Sequence, residues 1–154
     1  MFAYQFHHDG YLLSTDKSLL QTEVIHSFLA NDSYWSKDIP ESILCKSISN
    51  SLCFGVYKNG VQVAFARVIS DFATYAYLCD VFVVNEHRKK GISKWLMEKT
   101  MQHPNLQDLR RFTLGTHDAH ELYRKFGFSE PDNTCNNMEI RISDIYTKMK
   151  ENAE

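Results

Sequence analysis

The sequence predicts an α+β (mixed α/β) fold, and three observations predict it. Asn59-Gly60 lies between two runs rich in apolar and β-branched residues, the mark of a tight hairpin. After Gly91 the apolar residues recur every three or four positions instead, as on one face of a helix. A strand–helix–strand–helix order then fills the second half. Only three prolines and six glycines punctuate 154 residues, so they mark element ends inside one domain, 1–154.

In chain order, Tyr11–Ser14 reads as the first strand. Residues 18–30 set Leu19, Leu20, Val24, Phe28 and Leu29 at helical spacing. Residues 31–40 carry Tyr34 and Trp35 in polar company and read as a loop. Pro40 then opens a short helix over 41–50. Strands at 51–57 and 61–69 flank the Asn-Gly turn, and 74–84, rich in aromatic and β-branched residues, makes a third. These neighbours form an antiparallel meander. Over 91–102, Ile92, Trp95, Leu96, Lys99 and Thr100 share a helical face. Residues 111–115 give another strand. A short helix over 119–126 has Asp118 as its N-cap and stops at Gly127. A last strand at 137–142 and a polar helix at 143–150 complete the reading.

Hydrophobic residues make up 44% of the chain, enough for one core and no second domain. Seventeen basic and nineteen acidic residues leave a net charge of -2, so no whole-molecule field favours nucleic acid or anionic lipid. Any anion must be held by a local cluster. Cys45, Cys53, Cys79 and Cys135 form no CxxC pair and no zinc-like spacing with histidine, so no metal is expected. Cys53 and Cys79 read as small core residues in a reducing compartment. The opening MFAYQFHHDG lacks the pattern of a signal peptide, and no apolar run reaches membrane-spanning length. The expectation is a soluble, cytoplasmic protein, not bound to membranes. His7 and His8 read as surface residues, and His117 and His120 as polar residues at a helix start.

The richest stretch runs from Tyr77 to Lys94. A buried strand enters a turn with Arg88, Lys89 and Lys90, then Gly91, then a helix beginning Ile92-Ser93-Lys94. The first amides of a helix have no internal partner, and the dipole adds partial positive charge there. That combination binds phosphate. Gly91 presents no Cβ to an approaching anion, the cations add local charge, and the Ser93 hydroxyl can donate. Taken alone, the run reads equally as a solvated basic turn. The missing GK[ST] and GxGxxG exclude a P-loop and a dinucleotide fingerprint.

Arg88-Lys-Lys-Gly91-Ile-Ser93 resembles the Arg/Gln-x-x-Gly-x-Gly/Ala motif of the GNAT N-acetyltransferases, with Ser93 in place of glycine or alanine. Ala119-His-Glu-Leu122-Tyr123-Arg-Lys-Phe-Gly127-Phe128 resembles the same family's Ala-x-x-Leu-Tyr-x-x-x-Gly-Phe segment. Thr116 stands where the family often has an asparagine beside the pantetheine arm. The resemblance covers roughly residues 52–128. It implies a central, mostly antiparallel twisted sheet flanked by helices, whose strand–helix–strand–helix half binds acetyl-CoA. It implies transfer of an acetyl group to a primary amine of an unidentified small molecule or peptide. By the same resemblance, Val81, Phe82 and Val83 would offer main-chain groups to the pantetheine and the acetyl carbonyl. Residues 88–94 would hold the diphosphate, and a homodimer is a further option.

The chemistry needs an oriented thioester, a stabilised carbonyl oxygen, a deprotonated amine and a proton for the leaving thiolate. Tyr123 matches the family's general acid, although Leu122, Tyr123 and Phe126 could equally be packed core. Asp80, a carboxylate in an apolar strand, is a candidate base. The alternative is an ion pair with Arg67, the matching cation within 61–69. Water-mediated deprotonation would need neither residue. Tyr34, Trp35 and Arg67 are candidates for the acceptor site, and the two aromatics could instead cap the core. Two other functions stay open: an acyl-CoA sensor with little or no turnover, and a phosphate-ester enzyme. The latter is disfavoured because no carboxylate cluster suited to Mg²⁺ is present.

Overall fold

The chain forms a six-stranded sheet in strict chain order between two layers of helix. A computed structural model describes residues 2–154. Strands β1 (Gln5–His8), β2 (Tyr11–Ser14), β3 (Leu52–Lys58), β4 (Val61–Ser70) and β5 (Tyr75–Val83) pair antiparallel with their neighbours. Strand β6 (Arg111–Leu114) joins β5 in parallel, which requires the crossover helix α3 (Ile92–Met101) between them. The mixed class and the meander are thus as the sequence predicts.

Each hairpin turn has a local cause. Asn59 (φ 49°) and Gly60 (φ 78°) supply the two left-handed residues of the β3–β4 turn. Asp71 ties the β4–β5 turn by accepting hydrogen bonds from the amides of Ala73, Thr74 and Tyr75 and from the Thr74 hydroxyl. These donors hold its carboxyl well below the usual range.

The core is divided by the sheet. On one face, Ile92, Leu96 and Met97 of α3 pack on Leu13, Phe54, Val56 and Val68. On the other, Ile25 and Leu29 join Leu44 of α2 (Glu41–Ser49) against Cys53, Phe65 and Phe82. Alternation along the strands feeds both layers, as expected of a sheet covered on both sides.

Several expectations are corrected. Strand β1 lies outside the sequence reading, although Asp9 (φ 50°) and Gly10 (φ 77°) form the same kind of turn as Asn59-Gly60. The helix expected over 18–30 is three pieces: a 3₁₀ turn at Lys17–Leu19, α1 (Thr22–Ser27) and a π-helical turn at Phe28–Asp32. Gln21 breaks it. Its main-chain amide donates to Gln62 Oε1 and its side chain to the Gly60 carbonyl, fastening that residue to the β3–β4 turn in an extended conformation. Asp118 is not an N-cap. Helix α4 (His120–Arg124) begins after Ala119, whose amide donates to Thr116 Oγ1. Residues 137–142 form no strand. Met138 and Ile140 alternate but stand almost fully in solvent, since no neighbouring strand pairs with them. The last helix, α5 (Ile145–Ala153), lies slightly later than expected and is tied to Asp38 through Thr147 and Lys150.

One buried group has no hydrogen-bond partner among the described residues: the hydroxyl of Tyr57, in a residue only 5% exposed. Burial pushes its pKa upward. Tyr57→Phe removes an unpaired polar atom without changing the ring, and should stabilise the fold by about 1 kcal/mol. A rise in Tm checks this, and a fall would mean that the hydroxyl has a partner in solution.

Candidate active site

The site grows from the place where β5 and β6 part. Their last rung pairs Leu78 with Leu114, and β5 continues from Cys79 to Val83 with no rung to β6. Just beyond that rung β5 bulges. Phe65 pairs with Phe82 and Arg67 with Cys79, so Ala66 alone faces Asp80 and Val81, and the register shifts there. Asp80 takes a left-handed backbone (φ 54°) to make the bulge. Bulges bend a strand and increase its twist, which carries β5 away from β6. The wedge leaves β5 beyond Cys79 without a partner strand on the β6 side, where the Val83 carbonyl accepts from Arg88 instead.

The parted strand leads into the basic turn. A 3₁₀ turn at Asn85–His87 reverses the chain, and Arg88 anchors it by donating from Nε to the Val83 carbonyl at 2.9 Å. The Tyr11 hydroxyl and His87 Nδ1, 2.8 Å apart, give a second anchor. Lys89 (φ 61°) and Gly91 (φ 78°) are both left-handed, and Gly91 is the N-cap of α3. No side chain caps that end, and the first intrahelical bond comes from Trp95 to the Gly91 carbonyl. The amides of Ile92, Ser93 and Lys94 therefore lack protein acceptors. A Cβ placed on Gly91 would meet nothing within 4 Å. Arg88, Lys89, Lys90 and Lys94 are exposed, and Ser93 is half-buried. A cradle of free amides, local cations and no side chain in the way fits a diphosphate.

Tyr123 belongs to α4, which follows β6 in the chain. It lines a cavity of about 720 Å³ together with Leu114 and Thr116. Burial, then the neighbouring Tyr34 and Asp118, pushes its phenol up to about 12. Thr116 Oγ1 serves as acceptor for Ala119, which leaves its hydroxyl hydrogen to donate elsewhere. Cys79, beside the wedge, is pushed up to about 12 by burial, and Cys53 to about 11, so neither is a reactive thiol.

The loop between the π turn and α2 brings Trp35 to the bulge of β5, with Tyr34 packed against it. Trp35 Nε1 donates to Asp80 Oδ1 at 2.9 Å, and Arg67 Nε to Asp80 Oδ2 at 2.8 Å. Asp80 thus has the Arg67 partner that was one of its two readings. Burial opposes the Arg67 charge, but Asp80, together with the nearby Cys79 and Cys53, outweighs it and holds the guanidinium pKa above its ordinary value. The sequence makes His117 a polar residue at a helix start, yet its amide donates to the Tyr34 hydroxyl at 3.2 Å and its ring stacks on Tyr34 at 4.3 Å. Phe28 stacks on Phe82 at 4.1 Å. No local pattern reports contacts between residues so far apart in sequence.

This geometry has relatives. Residues 49–130 match the acetyltransferase (GNAT) domain model. The chain belongs to the GNAT acetyltransferase family. A GNAT-family structure from Xanthomonas campestris pv. campestris is 51% identical, with a TM-score of 0.88, over 92% of this chain and 99% of that one. A Gibberella zeae protein, named as an acetyltransferase without a stated substrate, is 34% identical over 75% of this chain and 76% of its own. A GNAT structure from Elizabethkingia anophelis with acetyl-CoA bound shares the fold at 13% identity, with a TM-score of 0.61, over 81% of this chain and 80% of that one. As in the family, the sheet is mostly antiparallel and flanked by helices. Among the described residues, no helix is long and apolar enough to cross a membrane, and no group of three or more His, Cys, Asp or Glu could hold a metal ion.

Proposed function

We propose that this protein transfers the acetyl group of acetyl-CoA to a primary amine of a small molecule or peptide. One observation carries the reading: β5 parts from β6 and runs directly into the unpartnered amides of α3. Residues 88–94 would hold the diphosphate, and Val81–Val83 would orient the pantetheine arm through main-chain groups. When bound, acetyl-CoA supplies the thioester carbonyl and the leaving thiol. The amine nitrogen bonds to the carbonyl carbon as the carbon–sulfur bond breaks. The Tyr123 phenol gives its proton to the departing sulfur, and the amine releases one to water. A main-chain amide of the bulged strand is suited to steady charge on the carbonyl oxygen. Tyr34, Trp35 and the half-buried Arg67 border the acceptor side.

The test is calorimetry with acetyl-CoA, followed by thiol release in the presence of a panel of primary amines. Binding with amine-dependent release supports the reading. Binding without release to any amine would leave a cosubstrate sensor, and no binding would overturn both.

A further inference from the structure

Asp80 combines features that a catalytic base does not need. It is 6% exposed, it lies at the left-handed residue of the bulge, and both carboxylate oxygens already accept charge-assisted or indole hydrogen bonds. Its partners are held in turn. Arg67 donates from a terminal nitrogen to Ser51 Oγ at 2.9 Å, which fixes the guanidinium to the start of β3. Trp35 packs edge-on against Tyr34 (4.9 Å between ring centroids) and lies beside Phe28, which itself stacks on Phe82 next to the bulge. An aromatic wall therefore descends from the exposed loop to the strand, and the indole N–H bonded to Asp80 is the polar bond that ties the wall to the sheet.

We infer that Asp80 is a positioning residue: with its charge balanced by Arg67, its carboxylate holds Trp35 at a fixed height over the bulge and so shapes the acceptor pocket. The inference rests on the acetyltransferase reading of the wedge, but its physical content is the order of the loop over 31–40. Each Asp80 oxygen already holds a donor of its own chain, Trp35 on one and Arg67 on the other, so the carboxylate is committed to the loop and the sheet. The amine proton then leaves through water.

Three variants test this. Trp35→Phe keeps the ring wall and the Asp80–Arg67 pair but removes the indole donor. Asp80→Ala removes the acceptor. Asp80→Asn keeps one acceptor oxygen for Trp35 but turns an NH2 toward Arg67 and leaves that cation unbalanced, so it is a partial rescue. Trp35→Phe and Asp80→Ala should both speed amide hydrogen exchange over 31–40 about tenfold, the loss expected for a hydrogen bond to a charged group. With the best amine from the panel, both should raise KM about tenfold with a smaller change in kcat, and the acetyl-CoA affinity should stay in place. Asp80→Asn should fall between the parent and Asp80→Ala in loop exchange and keep measurable turnover. Unchanged exchange in Trp35→Phe, which leaves the buried ion pair whole, would overturn the inference. So would an Asp80→Asn protein with a well-ordered loop, intact acetyl-CoA binding and no turnover, since that pattern belongs to a base. Failure of the parent protein to bind acetyl-CoA would overturn the proposed function, while the exchange result would still decide the role of Asp80.

Discussion

Gly91→Glu is expected to remove measurable acetyl-CoA binding from a protein that still folds. Two effects combine at this position. The backbone is left-handed (φ 78°), where an L-residue is strained by roughly 1–2 kcal/mol. The new side chain would also project into the open space above the unpartnered amides, where nothing lies within 4 Å. A carboxylate there competes for the amides and repels a diphosphate, and like charges brought together cost several kcal/mol. The affinity loss should exceed about 100-fold, or roughly 3 kcal/mol. Gly91→Lys separates the causes: it carries the same backbone strain but the opposite charge, and should bind markedly better than Gly91→Glu. Added salt should weaken binding to the parent, because Lys89, Lys90 and Lys94 are exposed and therefore screened. Calorimetry and a melting curve on each variant check this. A folded Gly91→Glu protein with parental affinity would place the diphosphate elsewhere.

That turn was legible in the sequence because its determinants are local. Three cations, one glycine and a change of period all lie within a few residues, and so does the Asn59-Gly60 turn that organises the meander. Information carried by distant partners was not legible. Gln21 ends what looks like one continuous helix only because Gln62, 41 positions away, takes its amide. Trp35 meets Asp80 across 45 positions and His117 meets Tyr34 across 83, so neither pair leaves a pattern. Residues 137–142 show the opposite failure. Alternation of Met138, Ile140 and Ile142 is a property of the segment alone, whereas a strand needs a neighbour, and here none is paired. The missed strand β1 is different again. Asp9-Gly10 was a readable turn, and it links a strand with little burial to the already recognised Tyr11–Ser14.

Tyr123→Phe is expected to lower kcat by about 100-fold, within the usual range for a positioned acid, while acetyl-CoA affinity changes little. The sign follows from the environment of the phenol. With its pKa pushed up to about 12, Tyr123 keeps its proton throughout the working range and always has one to give. A phenol at about 12 would be a poor match for an ordinary thiol near 8.5. The match depends on where the sulfur departs. Burial and the nearby Asp80 carboxylate push the Cys79 thiol up to about 12. A thiolate that departs into a dry site is desolvated likewise, which raises its proton affinity and narrows the gap to the phenol. Two results follow. The pH profile of kcat should show no alkaline fall from Tyr123 between pH 7 and 10, since its loss of a proton begins above that window. The Tyr123→Phe penalty should also shrink with acetyl donors whose thiols are more acidic, because those leave without help. A packing role predicts otherwise. Phenylalanine keeps the edge contact with Phe128 at 6.1 Å, so a residue that only packs would lose almost nothing in kcat with any donor. Parental turnover in Tyr123→Phe would move the acid to water and leave Tyr123 as part of the wall behind β6.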